Sequence, residues 1–391
     1  MVRETLISIY LVFFRIIFTF FKLFPQEKKT VCVVSFGDNV FYTARALKEV
    51  SNEDIIVLKD RQCNYPFDST IDKVIPFDIR HPFAYFQSIY HLATASTVMV
   101  DNYFGFLAAV EFRSKTTCVQ LWHAVGALKQ FGLMEPSISK RSDRAIDRFK
   151  RVYSTFNYVT VGSEKMAEIF RQSFSLDPDR IVRTGIPRTD MFYNEMEKKR
   201  LQTDLAQKWP IIKNKKVILY APTFRSEELN HFQIQLDIEQ MYRELGEEYV
   251  LFIKNHPAVT YNLDQKFSSF VVDVSNYYDA NHILLLTDIL ISDYSSIPCE
   301  YALLDKPMIF YAYDLQSYKK KSGLLPNFEQ EIPGPIVQNT DDIIHWIKNQ
   351  KFDQAAIKRF ANMWNRYSKG ASSMNVATLI HSDTESQSVA R

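Results

Sequence analysis

Two histidines and a pair of serines stand where short apolar runs end, and those residue types at those places suit group transfer on an anion. His256, followed by Pro257, closes the run Val250-Leu251-Phe252-Ile253. The proline stops a sheet ladder and fixes the turn that aims the imidazole outward. Ser295 and Ser296, with Asp293 just before them, follow Ile289-Leu290-Ile291 and precede the helix-favouring stretch from Pro298 to Leu304. Two hydroxyls and free backbone N–H groups then converge where a helix dipole is positive, which reads as an anion site or as an ordinary cap. Glu300, one turn further on, suits ribose hydroxyls or a solvated helix face equally. Arg225, after Ala221-Pro222-Thr223-Phe224, offers a fixed guanidinium to a diphosphate or makes a surface ion pair. Arg188, in Gly185-Ile186-Pro187-Arg188, adds a second cation for that anion or a linker ion pair. His123, after Cys118-Val119-Gln120-Leu121, is placed to take a proton from an acceptor hydroxyl. Asp101, ending Val98-Met99-Val100, serves to orient that ring or to cap a strand end.

Positioning these residues falls to a βα rhythm. Apolar runs at Val31–Phe36, Ile55–Leu58, Thr97–Val100, Thr116–Leu121 and Tyr158–Val161 alternate with amphipathic stretches. A charged segment from Glu195 to Lys216 follows, and the rhythm restarts at Val217–Tyr220, Tyr249–Ile253, Phe270–Val272, Ile289–Ser292 and Met308–Tyr311. This predicts two parallel-sheet α/β domains, over residues 30–200 and 201–380, with ligands outside the carboxyl ends of the strands. The chain has 391 residues, 46% of them hydrophobic, enough for two ordinary cores. A formal net charge of +2 gives no bulk attraction to nucleic acid. Ten glycines supply neither a GxGxxG nor a GxxxxGK[ST] loop, and the four cysteines form no CxxC. HExxH, a strand-end Asp-x-Asp in the first domain and a nucleophile elbow are missing too, so no metal ligand set is expected.

Residues Thr5 to Phe24 are apolar and long enough to span a bilayer. Glu4, Ser8, Arg15, Thr19 and Lys22 share one stripe of a helical wheel, and Leu6, Phe13, Phe14, Ile17, Phe20, Phe21 and Phe24 cover the rest. Residues 1–29 are therefore expected as an in-plane membrane helix, with Arg15 and Lys22 among lipid phosphates. A spanning helix would bury Arg15 at about 3 kcal/mol. Lys140, Arg141, Arg144, Arg148 and Arg151 are expected on one helix face, as a second contact with anionic lipid or as a solvated, salt-bridged surface. Residues 381–391 are expected as a mobile polar tail.

Four segments taken together resemble the CDP-glycerol glycerophosphotransferases of teichoic acid synthesis: Trp122-His123-Ala124-Val125-Gly126-Ala127-Leu128-Lys129, Gly185-Ile186-Pro187-Arg188-Thr189-Asp190, Lys254-Asn255-His256-Pro257 and Ser292-Asp293-Tyr294-Ser295-Ser296. The likeness runs from Lys22 to Lys369 and is strongest to the glycerol-phosphate primases of that family. One departure is Ala124, where the family often has glycine. The resemblance implies a GT-B type glycosyltransferase fold, two Rossmann-like domains facing a cleft, with the nucleotide mostly on the second. It implies transfer of one glycerol phosphate from CDP-glycerol to the N-acetylmannosamine of a disaccharide on undecaprenyl diphosphate, with release of CMP, at the cytoplasmic face of the cell membrane. His123 would be the base, and His256, Arg225, Ser295 and Ser296 would neutralise the diphosphate. No cofactor is implied, since a magnesium ion carried by the diphosphate needs no carboxylate pair of the protein. The polymerases of the same family share these motifs. His256 with Ser295-Ser296 is also similar to the histidine-proline and serine-serine motifs by which some bacterial sialyltransferases hold CMP, which makes a CMP-sugar glycosyltransferase the next alternative. A membrane scaffold without chemistry is the third.

Overall fold

The computed structural model describes residues 2–223, 225, 234–255, 264–349 and 351–389. Its contacts divide the chain into two α/β units. The first comprises Met1–His123, Phe131–Asp190 and Arg366–Arg391, and the second Ala124–Gln130 and Met191–Asn365. Each is built on an all-parallel sheet, the fold class that the alternating pattern predicts.

The strands are β1 (Glu27–Val34), β2 (Asp54–Lys59), β3 (Lys73–Pro76), β4 (Ala95–Val100), β5 (Thr117–Gln120), β6 (Tyr158–Thr160) and β7 (Ile181–Val182) in the first unit. The second has β8 (Lys216–Ala221), β9 (Tyr249–Ile253), β10 (Val271–Asp273), β11 (Ile289–Ser292), β12 (Met308–Tyr311) and β13 (Ile336–Val337). Their orders are β3-β2-β1-β4-β5-β6-β7 and β10-β9-β8-β11-β12-β13. Central strands such as Val31–Val34 and Val250–Ile253 are buried throughout, because helices cover both faces of a parallel sheet and leave no polar side to the strand.

Two segments change units. Residues 124–130, directly after His123, pack in the second unit: Val125 and Leu128 are buried, Leu325 donates its N–H to the Leu128 carbonyl, and Gln130 donates to Gly323. Gly126 has no room for a side chain, since a Cβ there would fall 2.6 Å from Cys299 Sγ and from the Trp364 ring. The last helix, Ser372–Val389, belongs to the first unit and brings Val376, Ala377 and Ile380 into its core. Residues 381–389, expected as a mobile tail, continue this helix. Asp383 accepts from Thr117 and Tyr158 at the ends of β5 and β6, which anchors it.

Helix α1 (Val2–Phe21) has three faces. Phe14 and Phe18 are buried, with Phe14 5.0 Å from Phe106 and Phe18 5.9 Å from Phe112, and Tyr10 bonds Tyr85 at 2.7 Å. The opposite face carries Leu6, Ile9, Val12, Phe13, Ile16 and Phe20, all exposed, with Ile9 and Ile16 at 60% and 65%. The polar stripe lies between these faces. Exposed Phe86 of helix α3 (Pro82–Thr94) sits 6.3 Å from Phe13, and Phe83 beside it is 92% exposed, so the apolar surface continues past the helix. Helix α2 (Asp38–Val50) follows β1.

The basic run expected on one helix is broken. Ser142 caps helix α4 (Asp143–Ser154) by accepting from the Ala145 N–H, so Lys140 and Arg141 precede the helix and only Arg144, Arg148 and Arg151 are on it. Arg148 is committed elsewhere, to Glu4 of α1 at 3.0 Å. Lys22 donates to the Glu111 carbonyl at 2.7 Å, while Arg15 and Arg144 are exposed.

Candidate active site

Ligands of open α/β sheets bind where neighbouring strands run on in opposite directions of the order, here β1/β4 and β8/β11. Among the described residues, Asp101 and His123 follow β4 and β5 beside the first place, and Arg225, Asp293, Ser295 and Ser296 follow β8 and β11 at the second.

In the first unit, β1 ends at Val34 and the chain turns through Ser35, Phe36 and Gly37 into α2. Gly37 has φ 96°, and a Cβ there would lie 2.7 Å from that of Tyr65, so the turn requires glycine. All three N–H groups donate to the Asp101 carboxylate: Ser35 at 2.9 Å, Phe36 at 2.9 Å and Gly37 at 2.8 Å. Burial pushes that carboxyl up to about 7 against the pull of the three donors. Asp101 is thus a cap of the β1–α2 turn. What meets His123 is the Asp101 backbone carbonyl, 2.9 Å from Nδ1. A carbonyl only accepts, so Nδ1 carries the proton and Nε2 the lone pair that a general base needs. The side chain expected to orient the ring does so through its main chain, because its oxygens are taken by the converging N–H groups.

His123 lies between two rings, Phe36 at 4.1 Å and 12° and Trp122 at 4.3 Å and 27°. Trp122 sits in the left-handed region at φ 58°, a costly conformation that the surroundings must enforce. Gln120 Oε1 accepts from its N–H at 2.8 Å, and Asn39 Nδ2 donates to its carbonyl at 2.9 Å. Asn39 Oδ1 in turn accepts from the Arg188 N–H, and the Arg188 guanidinium pairs with Asp38 at 2.8 Å, both side chains largely buried. Arg188 therefore ties Gly185–Arg188 to the first turn of α2 through an ion pair. Phe36, Asp38, Asn39 and Gln120 escaped sequence reading. The available signal was Ser35-Phe36-Gly37-Asp38-Asn39, a glycine-containing turn directly after the first strand.

In the second unit, Arg225 follows β8 and Asp293 follows β11. Asp293 Oδ1 accepts from the Thr223 N–H at 2.8 Å, and its Oδ2 pairs with Arg225 at 3.1 Å. Arg225 also pairs with Asp314 at 2.8 Å and donates to the Thr223 carbonyl, within 4.9 to 5.7 Å of the Tyr313, Tyr318 and Tyr294 ring centres. Burial opposes the charge, but the two carboxylates more than reverse this and hold the guanidinium above its ordinary value. The geometry makes Arg225 a strut between strand ends, an ion pair that is largely buried and not on the surface. Arg225→Ala is expected to cost about 3–5 kcal/mol by leaving two carboxylates together without their cation. Urea unfolding read by tyrosine fluorescence checks this, and an unchanged midpoint would show that the pair adds nothing.

Ser295 Oγ accepts from the Ile297 N–H at 3.3 Å, whereas Ser296, directly before the short helix Ile297–Tyr301, makes no capping bond with its side chain. Both serines are half-buried. Glu300 is on neither a solvated face nor an open ribose site: it is buried, and its Oε1 accepts from the Val125 N–H at 3.1 Å. Lys254 follows β9 and donates from Nζ to the Tyr277 carbonyl at 3.0 Å, and burial pulls its ammonium down to about 8. His256 lies outside the described residues.

The chain is similar to known proteins over most of its length. The chain is 37% identical over 389 residues to a teichoic acid glycerol-phosphate primase of Bacillus subtilis (strain 168), covering 97% of this chain and 98% of that one. It is 36% identical over 284 residues to a teichoic acid poly(ribitol-phosphate) polymerase of Bacillus spizizenii, covering 70% of this chain and 44% of that one. A solved structure of the wall teichoic acid polymerase TagF, taken after a soak with CDPG, matches 99% of both chains at 25% identity and a TM-score of 0.82. Residues 16–382 match the family described as CDP-Glycerol:Poly(glycerophosphate) glycerophosphotransferase. The chain belongs to that glycerophosphotransferase family.

Proposed function

We propose that the protein is a glycerol-phosphate primase. It transfers one glycerol phosphate from CDP-glycerol to the N-acetylmannosamine hydroxyl of the undecaprenyl-diphosphate-linked N-acetylmannosaminyl-N-acetylglucosamine disaccharide. The observation that carries this reading is the match to a primase over nearly the whole of both chains. In the reaction, the sugar oxygen attacks the phosphorus that bears glycerol, the bond from that phosphorus to the bridging oxygen breaks, and CMP leaves with the electron pair. His123 takes the hydroxyl proton on Nε2, with its tautomer held by the Asp101 carbonyl. The hydroxyls of Ser295 and Ser296, which follow β11 at the β8/β11 switch point, would stabilise the diphosphate and the departing CMP.

The acceptor's lipid tail stays in the bilayer, so the enzyme must work at the membrane, and we place it peripherally on the cytoplasmic face. The buried aromatic face of α1 supports an in-plane helix, since spanning would strip Phe14 and Phe18 from Phe106 and Phe112. Mass spectrometry of the lipid-linked disaccharide after incubation with excess CDP-glycerol tests the reading. One added glycerol phosphate is expected; a ladder of additions would make the protein a polymerase.

A further inference from the structure

We infer that Phe36 is a positioning residue for His123, one jaw of an aromatic clamp that sets the plane in which the imidazole presents Nε2. The inference rests on the reading of His123 as the base. Phe36 and Trp122 both stack on His123 with centroids near 4 Å. Two rings that close cannot share one face, so the imidazole is held from both sides. The stack fixes the ring plane, and the Nδ1–H bond to the Asp101 carbonyl fixes rotation within that plane. Together they determine where Nε2 points.

Asp101 also joins the two halves of the device. Its carboxylate holds the Phe36 N–H while its carbonyl holds the His123 ring, and the Cys63 thiol donates to the Phe36 carbonyl from the other side. The second jaw is locked independently, with Trp122 5.2 Å from Phe131 and 5.4 Å from Phe174. Phe36 nevertheless remains 42% exposed. Core packing does not account for a large ring kept so open, whereas service to a reacting imidazole does. When the proton arrives, the two ring faces also stabilise the imidazolium.

The test compares Phe36→Leu with Phe36→Tyr in the full chain, using CDP-glycerol and the lipid-linked disaccharide, with His123→Ala alongside. Phe36→Leu is expected to lower kcat on the order of tenfold, with KM for CDP-glycerol unchanged, because a misaimed base slows transfer without loosening the donor. Phe36→Tyr should restore kcat to within about twofold, since it keeps the ring. The His123 ring-proton NMR signals should move in the leucine variant, through loss of ring-current shift, and stay in the tyrosine variant. If leucine and tyrosine behave alike, or if leucine changes KM alone, the clamp is refuted while the base assignment stands. If His123→Ala turns over normally, the base assignment falls and the clamp with it.

Discussion

His123→Ala is expected to lose on the order of 10²-fold or more in turnover, the size of a missing general base, and to bind CDP-glycerol as the unaltered protein does. The structure sharpens why the two effects should separate. The Asp101 carbonyl and the Phe36 and Trp122 rings that hold His123 belong to the first unit. The serines proposed for the donor lie in the second unit. Steady-state CMP release measures the first quantity and calorimetric titration with CDP-glycerol the second. A variant with near-normal turnover removes His123 from the chemistry. One that loses affinity as well as rate would make the imidazole a donor-binding group.

Helix α1, proposed as the membrane contact, gives the other large effect. Ile9→Glu combined with Ile16→Glu is expected to lower partition onto anionic liposomes by about 10²- to 10⁴-fold, since each isoleucine contributes about 1.5–3 kcal/mol when its side chain leaves water. Thermal stability should hardly change, because both side chains already face solvent in the folded chain. Flotation gives the partition, and turnover on a short-chain acceptor analogue should survive where turnover on the long-chain acceptor falls. Outright deletion of residues 1–24 is a poorer experiment, as it would uncover Phe106, Phe112 and Tyr85 beneath the helix. If the double variant floats like the unaltered chain, α1 is not the anchor.

The central strands were readable because burial on both faces writes them as unbroken apolar runs, Val31–Val34 and Val250–Ile253 among them. Edge strands β3, β7 and β13 were not, being only two to four residues long. The candidate site residues stand out by their position after strands, where topology places ligands. Their partners were hidden, since nothing near Asp101 in the sequence announces three N–H donors some 65 residues earlier. Arg225 looked like a phosphate ligand because its two carboxylates lie 68 and 89 residues further on. Local spacing carried the basic run from Lys140 to Arg151 past Ser142, whose cap starts a separate helix. The exchange of residues 124–130 and 366–391 between units follows from tertiary packing that periodicity cannot register.

That exchange fixes an order of events during synthesis. The first unit takes its closing helix from Ser372–Val389, which covers α2 and the sheet behind it. At 5–20 residues per second, the interval between residue 190 and that helix is roughly 10–40 s. Throughout it the nascent first unit carries an open apolar flank where Val376, Ala377 and Ile380 will later dock. The second unit receives its borrowed segment, residues 124–130, before most of its own sequence is made, and it can close as soon as Asn365 emerges. The part of the enzyme translated first is thus completed last, and its window of exposure to chaperones and to aggregation spans the synthesis of its neighbour.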